Sequence, residues 1–277
     1  MLSKIKSFIS KDKKLILYPF ILSLLFFGVN VTLEYATDTY ATFEELGTWQ
    51  WMLYENGRIF NALIYYVIEA LQIPNGYVYK LSYAFAILFL TLSVYFFSKL
   101  LKDFCRNDLL CSSLAFMTLA NFYIIEYFLF IEKGLFMLAI LLCTLATYCT
   151  VSYLKNSKNS YLFYALLCLV WAVFIYQIIL GLYVILCLPF ILKYSKKIKY
   201  FLINNLITAF LYAIPLALAF VVTKFFLSSS RMGGLGNIFS NISYHFPHII
   251  QLSIEDWFFI PQHMLLTFFL IIIAVAI

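Results

Sequence analysis

YLFYALLCLVWAVFIYQIILGLYVILCLPFIL, residues 161–192, is an unbroken apolar run of about 32 residues. A helix needs about 20 residues to cross the hydrocarbon of a bilayer. The run is too long for one upright span. It reads either as one long tilted helix or as two shorter helices that meet near Tyr176-Gln177. The choice decides the topology of the whole chain. Lys193, Lys196, Lys197 and Lys199 follow at once. Basic residues mark the cytoplasmic side of a membrane protein. With two helices, this cluster shares a side with Lys4, Lys6, Lys11, Lys13 and Lys14, with Lys99, Lys102 and Arg106, and with Lys155 and Lys158. With one helix it falls opposite all of them. Two helices are therefore expected, with the N-terminus cytoplasmic.

The rest of the chain agrees with a membrane setting. Its 277 residues are 64% hydrophobic and 12% charged. Soluble domains carry about 45–50% apolar and about 25% charged residues. The 30 Phe and 22 Tyr suit helices that pack in lipid and anchor at its interfaces. The net charge of +6 belongs to the basic loops and does not point to nucleic acid. Six cysteines lie in apolar spans or beside basic loops without C-x-x-C spacing, so neither a zinc site nor a disulfide framework is indicated. They read as small packing residues. The first apolar run is too long for a signal peptide and has no clear cleavage site, so it reads as an uncleaved span.

These observations predict an all-α polytopic membrane protein with about eight spans, near 15–34, 78–98, 109–125, 134–154, 160–176, 178–193, 200–226 and 264–277. Residues 1–277 form a single transmembrane domain. The last span breaks off at Ile277 with no polar stop, so further chain beyond it is expected. The outer side receives a first loop at about 35–77, a short segment at 126–133 and a long loop at about 227–263. Most of the acids gather on that side, whereas Asp12, Asp103 and Asp108 fall inside.

The first outer loop holds the densest polar stretch, TDTYATFEELGTWQWMLYENGR, residues 37–58. Thr42 and Glu45 fit a capping box that starts a helix at about Phe43. Phe43, Leu46, Trp49, Gln50 and Leu53 then share one face, with Trp51 and Tyr54 round the side, which describes an amphipathic helix at headgroup level. Gly57 is the expected C-terminal cap. A second short helix, about Asn61–Leu71, follows and stops at IPNG. Asp38, a carboxylate at an apolar boundary, is suited to general-base work, with Glu44 and Glu45 one helical turn of reach away. Arg58 is a planar cation suited to phosphate. An acid and an arginine at a membrane surface fit transfer from a phosphate-bearing lipid.

In order and hydropathy the chain resembles the bacterial serotype-converting glucosyltransferases, multi-span enzymes of the GT-C type. Four places carry the resemblance: Asp38-Thr39-Tyr40 after the first span; Trp51 followed by ENGR ending in Arg58; NFYIIEYFLFIEKGLFMLA from Asn121; and Tyr176-Gln177 late in a span, followed by a basic patch. The chain departs from the family where only Asp38 is acidic in the first motif. In the third motif it has Glu132 or Lys133 near the place where an Asp is usual. The resemblance implies that a sugar, with glucose the expected one, passes from a polyprenyl-phosphate donor to a cell-surface glycan, with inversion, on the outer face of the bacterial cytoplasmic membrane. The acceptors expected of such enzymes are O-antigen or cell-wall polysaccharides. It implies Asp38 as the base, with Glu44 or Glu45 as runner-up, and Arg58 and Arg231 on the phosphate. Lys133 and Lys224 are weaker phosphate candidates. Trp51, Glu126 and Gln177 join the substrate side. No cofactor is called for, and no divalent metal is indicated.

The remaining polar features are less specific. RMGGLGN, from Arg231, lacks the ending of a phosphate-binding loop. His245, His248 and His263 read as surface histidines rather than metal ligands. Glu255 and Asp256 are placed to orient acceptor hydroxyls, or simply flank the interfacial anchor Trp257. Glu126 either pairs with Lys133 or lines a donor cavity, and Glu132 lies near the same span end. Lys80 either snorkels or reaches phosphate. Two other functions compete: a transporter or flippase of lipid-linked glycans, which calls for charges within spans and broken helices, and a polysaccharide polymerase or ligase, which calls for an Arg-rich outer loop.

Overall fold

The computed structural model describes residues 12–28, 48–120, 127–128 and 130–227. All of them fall within one compact unit, Met1–Ser229. The described residues are helical, with no strand among them. The helices are α1 (Lys13–Phe27), α2 (Ile59–Ala70), α3 (Asn75–Leu101), α4 (Asp108–Leu119), α5 (Lys133–Asn156), α6 (Ser160–Ile175), α7 (Leu180–Tyr194) and α8 (Ile198–Val222).

Among the described residues, four helical stretches are long and apolar enough to cross a membrane: Asn75–Leu101, Lys133–Asn156, Gln177–Tyr194 and Ile198–Phe225. Two other expected spans correspond to the shorter apolar helices α4 and α6, of 12 and 16 residues, and the span expected at 15–34 is described only as far as residue 28, where α1 has ended at Phe27. At about 1.5 Å per residue, neither α4 nor α6 covers a hydrocarbon core of about 30 Å unaided. The span expected at 264–277 lies outside the described residues.

The opening stretch divides as its flanking charge requires. Tyr176 ends α6 in an extended conformation (φ −158°, ψ 108°), and the 3₁₀ turn Gln177–Ile179 leads into α7. The backbone N–H of Tyr176 still closes onto the Ala172 carbonyl at 2.9 Å, so the break leaves no orphaned donor there. Proline sits inside three helices, at Pro19, Pro189 and Pro215. Membrane helices tolerate proline because neighbouring groups re-satisfy the freed backbone.

α5 is the central helix and packs most extensively on α3 and α6. Its apolar window is 67% buried, against 28% for α8, which turns most of its surface outward. Close approach of α5 to α3 depends on Gly134. A Cβ at that position would lie 2.9 Å from the Ser82 carbonyl oxygen and 3.3 Å from Phe85 Cβ. The Gly134 N–H instead donates to Ser82 Oγ at 2.9 Å. Several polar side chains inside the bundle are satisfied locally: Thr91, Ser98, Thr144 and Thr147 each donate to the carbonyl four residues back. Tyr183 OH meets Thr150 Oγ1 at 3.0 Å. Cys143 and Cys187 are buried in the same core, where Cys187 Sγ lies 3.8 Å from Thr147 Oγ1.

The two ends of the bundle are chemically different. At one end Asp12 pairs with Lys99 at 2.7 Å and accepts a hydrogen bond from Tyr95 OH at 2.8 Å. Asp103 takes Lys155 at 2.6 Å and Tyr194 OH at 2.7 Å, and its backbone carbonyl accepts from Lys193 Nζ. Lys102 pairs with Asp108 at 2.8 Å. The basic clusters that follow α3, α5 and α7 thus meet in space, tied by the acids the sequence assigns to their side. The starts of α3 and α5, joined at Ser82 and Gly134, define the other end.

Candidate functional site

The site lies at that second end. Glu132 holds the N-cap position of α5, and its backbone carbonyl accepts from Leu135 and Phe136 N–H at 2.8 and 3.1 Å. A carboxylate there is favoured by the helix dipole. Its side chain turns away from the helix and meets the loop before α2. Arg58 Nη1 approaches Oε1 at 3.3 Å and Oε2 at 3.5 Å, and Asn61 Nδ2 donates to Oε1 at 2.9 Å. The pair is nearly buried, with side-chain exposures of 13% for Arg58 and 7% for Glu132. The Arg58 guanidinium also lies 4.8 Å from the ring centre of Tyr176 and 5.7 Å from that of Phe136. Tyr127 packs on both of these rings. The break between α6 and α7 therefore delivers an aromatic wall to the arginine.

Local sequence explains how Arg58 arrives there. A helical turn at Thr48–Gln50 widens into a π-helical turn at Trp51–Glu55. Gly57 then takes a left-handed conformation (φ 65°), as a capping glycine does. It lies against the Thr223 side chain, where a Cβ has no room. This reverses the chain and aims Arg58 inward. The widened turn also changes the face expected for this segment. Thr48 and Met52 point into the protein, Gln50 is exposed, and Trp49, Trp51 and Leu53 pack at the edge of a small cluster formed by Met52, Ala62, Tyr65, Val78, Tyr79 and Ile131.

Lys133, the next residue, is fully buried, and its Nζ has no hydrogen-bond partner. It stands 3.5 Å from the ring centre of Tyr79 and 6.0 Å from that of Tyr83, a cation–π arrangement. Asn61 Oδ1 is likewise buried without a partner.

Beside this cluster runs a cavity of about 670 Å³ between α2, α3 and the start of α5. Its walls are almost entirely apolar, with Phe60, Ile64, Ile68, Leu81, Phe85 and Leu135 among them, and the charged side chains that reach it are Glu132 and Lys80.

The expected site residues separate into three groups. Arg58 and Lys133 fall at this end, Arg58 paired with Glu132 rather than open to solvent. Trp51 is half-buried in the adjoining cluster, and Gln177 begins the 3₁₀ turn, so it is Tyr176, not Gln177, whose ring faces Arg58. Lys80 lines the cavity, and Lys224 is exposed, 5.5 Å from the ring centre of Phe220. Asp38, Glu44, Glu45, Glu126 and Arg231 lie outside the described residues, as do the capping box at Thr42, the three histidines, Glu255 and Asp256. Sequence reasoning did not single out Asn61 and did not join Glu132 to Arg58. The available signals were an Asn within the apolar run of α2 and an acid directly before a long apolar helix.

Fold and site together define a protein whose described residues are helical, with helices long and apolar enough to cross a membrane and a buried charge cluster beside an apolar cavity. Comparison with family models, curated proteins and solved structures finds no match.

Proposed function

We propose that this chain is a membrane glycosyltransferase that moves a sugar from a polyprenyl-phosphate donor to a cell-surface glycan. The observation that carries the reading is the apolar cavity of about 670 Å³ with Glu132 and Lys80 on its walls. That combination suits a lipid chain with an ionic, hydroxyl-bearing head. In the proposed arrangement about eight helices cross or enter the bacterial cytoplasmic membrane, and the end rich in Lys99, Lys155 and Lys193 faces the cytoplasm. The Arg58 end faces out.

In the proposed reaction an acceptor hydroxyl attacks the anomeric carbon as the bond to the phosphate oxygen breaks, which inverts the configuration. The hydroxyl proton passes to a carboxylate, Asp38 first and Glu44 or Glu45 as alternatives. The electron pair leaves on the lipid phosphate, which Arg58 and Arg231 stabilise. The test is transfer from a polyprenyl-phosphate sugar in membranes carrying Asp38→Asn. Loss of a general base lowers the rate by about 10²–10⁴-fold. Undiminished transfer at normal expression removes Asp38 from the mechanism.

A specific feature favours a second reading, a transporter of lipid-linked glycans. A nearly buried ion pair, Arg58–Glu132, lies within the helical bundle, as paired ionisable groups do along transport pathways. Movement of a labelled lipid-linked glycan across proteoliposomes without sugar transfer selects that reading.

A further inference from the structure

Two of the six cysteines meet outside the main core. Cys105 lies in the turn between α3 and α4, and Cys111 in the first turn of α4. Their contacts are reciprocal. Cys111 Sγ donates to the Cys105 carbonyl at 3.3 Å. Cys105 Sγ lies 3.8 Å from the Asn107 carbonyl, which also accepts the Cys111 N–H at 3.0 Å. The Cys111 side chain interacts with the Cys105 thiol as well. The turn that brings them together is held without either sulfur. The Asn107 side chain caps α4 by accepting from Leu109 and Leu110 N–H at 2.9 and 3.2 Å, and Lys102 pairs with Asp108 at 2.8 Å. The two thiols differ in access: Cys105 is half-buried and Cys111 fully buried. The packing role read from the sequence suits Cys143 and Cys187, which are buried within α5 and α7. It does not account for Cys105, in an open turn between Asp103 and Asn107. Among the described residues no third Cys, His, Asp or Glu joins the pair as a metal-binding group, so its natural partner atoms are its own two sulfurs.

We propose that Cys105 and Cys111 form a reversible dithiol–disulfide site that reacts with hydroperoxides. The Cys105 sulfur, the one solvent reaches, bonds a peroxide oxygen. The O–O bond breaks, the other oxygen leaves as water or alcohol, and Cys105 becomes a sulfenic acid. The Cys111 sulfur then attacks the Cys105 sulfur. The sulfenic hydroxyl leaves with the Cys111 proton as water, and an S–S bond remains. Two electrons pass from the two thiols to the peroxide, and a thiol reductant returns them. The new bond ties the start of α4 to the turn that carries Asp103, the residue that joins Lys155 and Tyr194. The site is independent of the transfer chemistry. With this end in a reducing cytoplasm, as in the functional reading, its resting form is the dithiol.

The experiment treats the purified full chain in detergent micelles with hydrogen peroxide, with and without dimedone, which traps sulfenic acids. Digestion and mass spectrometry then locate each modification. The wild type is expected to give an intramolecular Cys105–Cys111 disulfide that dithiothreitol removes, with little dimedone adduct. Cys111→Ser is expected to lose the disulfide and to accumulate the adduct on Cys105. Cys111→Ala serves the same purpose if serine disturbs the buried position. Cys105→Ser is expected to leave Cys111 unmodified, because peroxide does not reach it. Equal adduct on Cys105 in the wild type and the Cys111 variants overturns the proposal. So does a disulfide to Cys149 or Cys168, or between two chains, in place of the Cys105–Cys111 bond. An adduct on Cys111 in Cys105→Ser overturns the order of attack. Both thiols intact, at a peroxide level that consumes added glutathione, overturns the site altogether. None of these readouts uses sugar transfer, so the site and the glycosyltransferase reading stand or fall separately.

Discussion

The Arg58–Glu132 pair makes a prediction that a double-mutant cycle can measure. The two side chains are 13% and 7% exposed and 3.3 Å apart. Removing one partner of a buried pair strands the other charge in a poor solvent, at a cost of about 3–5 kcal/mol. Arg58→Met leaves the Glu132 carboxylate with Asn61 among its described donors, which softens the loss to about 3 kcal/mol. Glu132→Gln keeps an acceptor for Asn61 but strands the guanidinium between Tyr176 and Phe136, whose ring faces return about 1 kcal/mol. Each single variant should therefore lose about 2–4 kcal/mol. The double variant strands no charge and should lose far less than the sum, with a coupling of about 2 kcal/mol. The assay is reversible unfolding in mixed detergent micelles, followed by tryptophan fluorescence. Two small and additive losses would show that the charges do not feel each other, and the site as described would fail.

Other expectations follow from single contacts. Gly134→Val should separate α5 from α3 and cost about 1–3 kcal/mol, because the nearest obstacle is the Ser82 backbone; an unchanged melting midpoint would count against the close approach. Lys133→Met should raise the melting midpoint, since burying an ammonium without a hydrogen-bond partner is costly and its contact with Tyr79 returns only part of that cost. A lower midpoint would reveal a partner for the ammonium. The pH dependence has a definite sign at Asp12. Burial favours its neutral form, but the hydrogen bonds from Lys99 and Tyr95 and the charges of Lys99 and Lys102 outweigh it and hold the carboxyl below its usual range. Its contribution is complete above the unfolded value of about 3.9 and is lost as pH falls through the lower folded value. Asp12→Asn should flatten the acid side of the stability profile; an unaltered profile would contradict the assignment. Asp103→Asn should loosen the junction of α3, α5 and α7 and cost about 1 kcal/mol, measured by unfolding, because this partly exposed carboxylate joins Lys155 and Tyr194.

Much of the helical layout was legible in the sequence because it follows from local patterning. Apolar runs set where helices form, and the basic residues behind α3, α5 and α7 required the 161–192 run to divide. The break falls at Tyr176, where it was expected. Gly57 was legible as a cap for the same reason, since a left-handed turn favours glycine wherever it occurs. The expected helix at 160–176 is found at Ser160–Ile175, one residue shorter, because an apolar run bounded by a loop and a turn fixes both ends locally.

Composition and order alone determined a helical chain with stretches apolar enough to cross a membrane and with basic clusters between them, because bulk transfer energies and loop charge are properties of local sequence. Only the tertiary structure decided what Arg58 does. Its partner lies 74 positions away at the start of α5, its aromatic wall comes from a helix break farther on, and its inward aim comes from a widened turn packed against Thr223. Glu132, one of several acids in the sequence, takes its place in the site for the same reason. Pairing across that distance is set by how helices pack, and no local pattern encodes it.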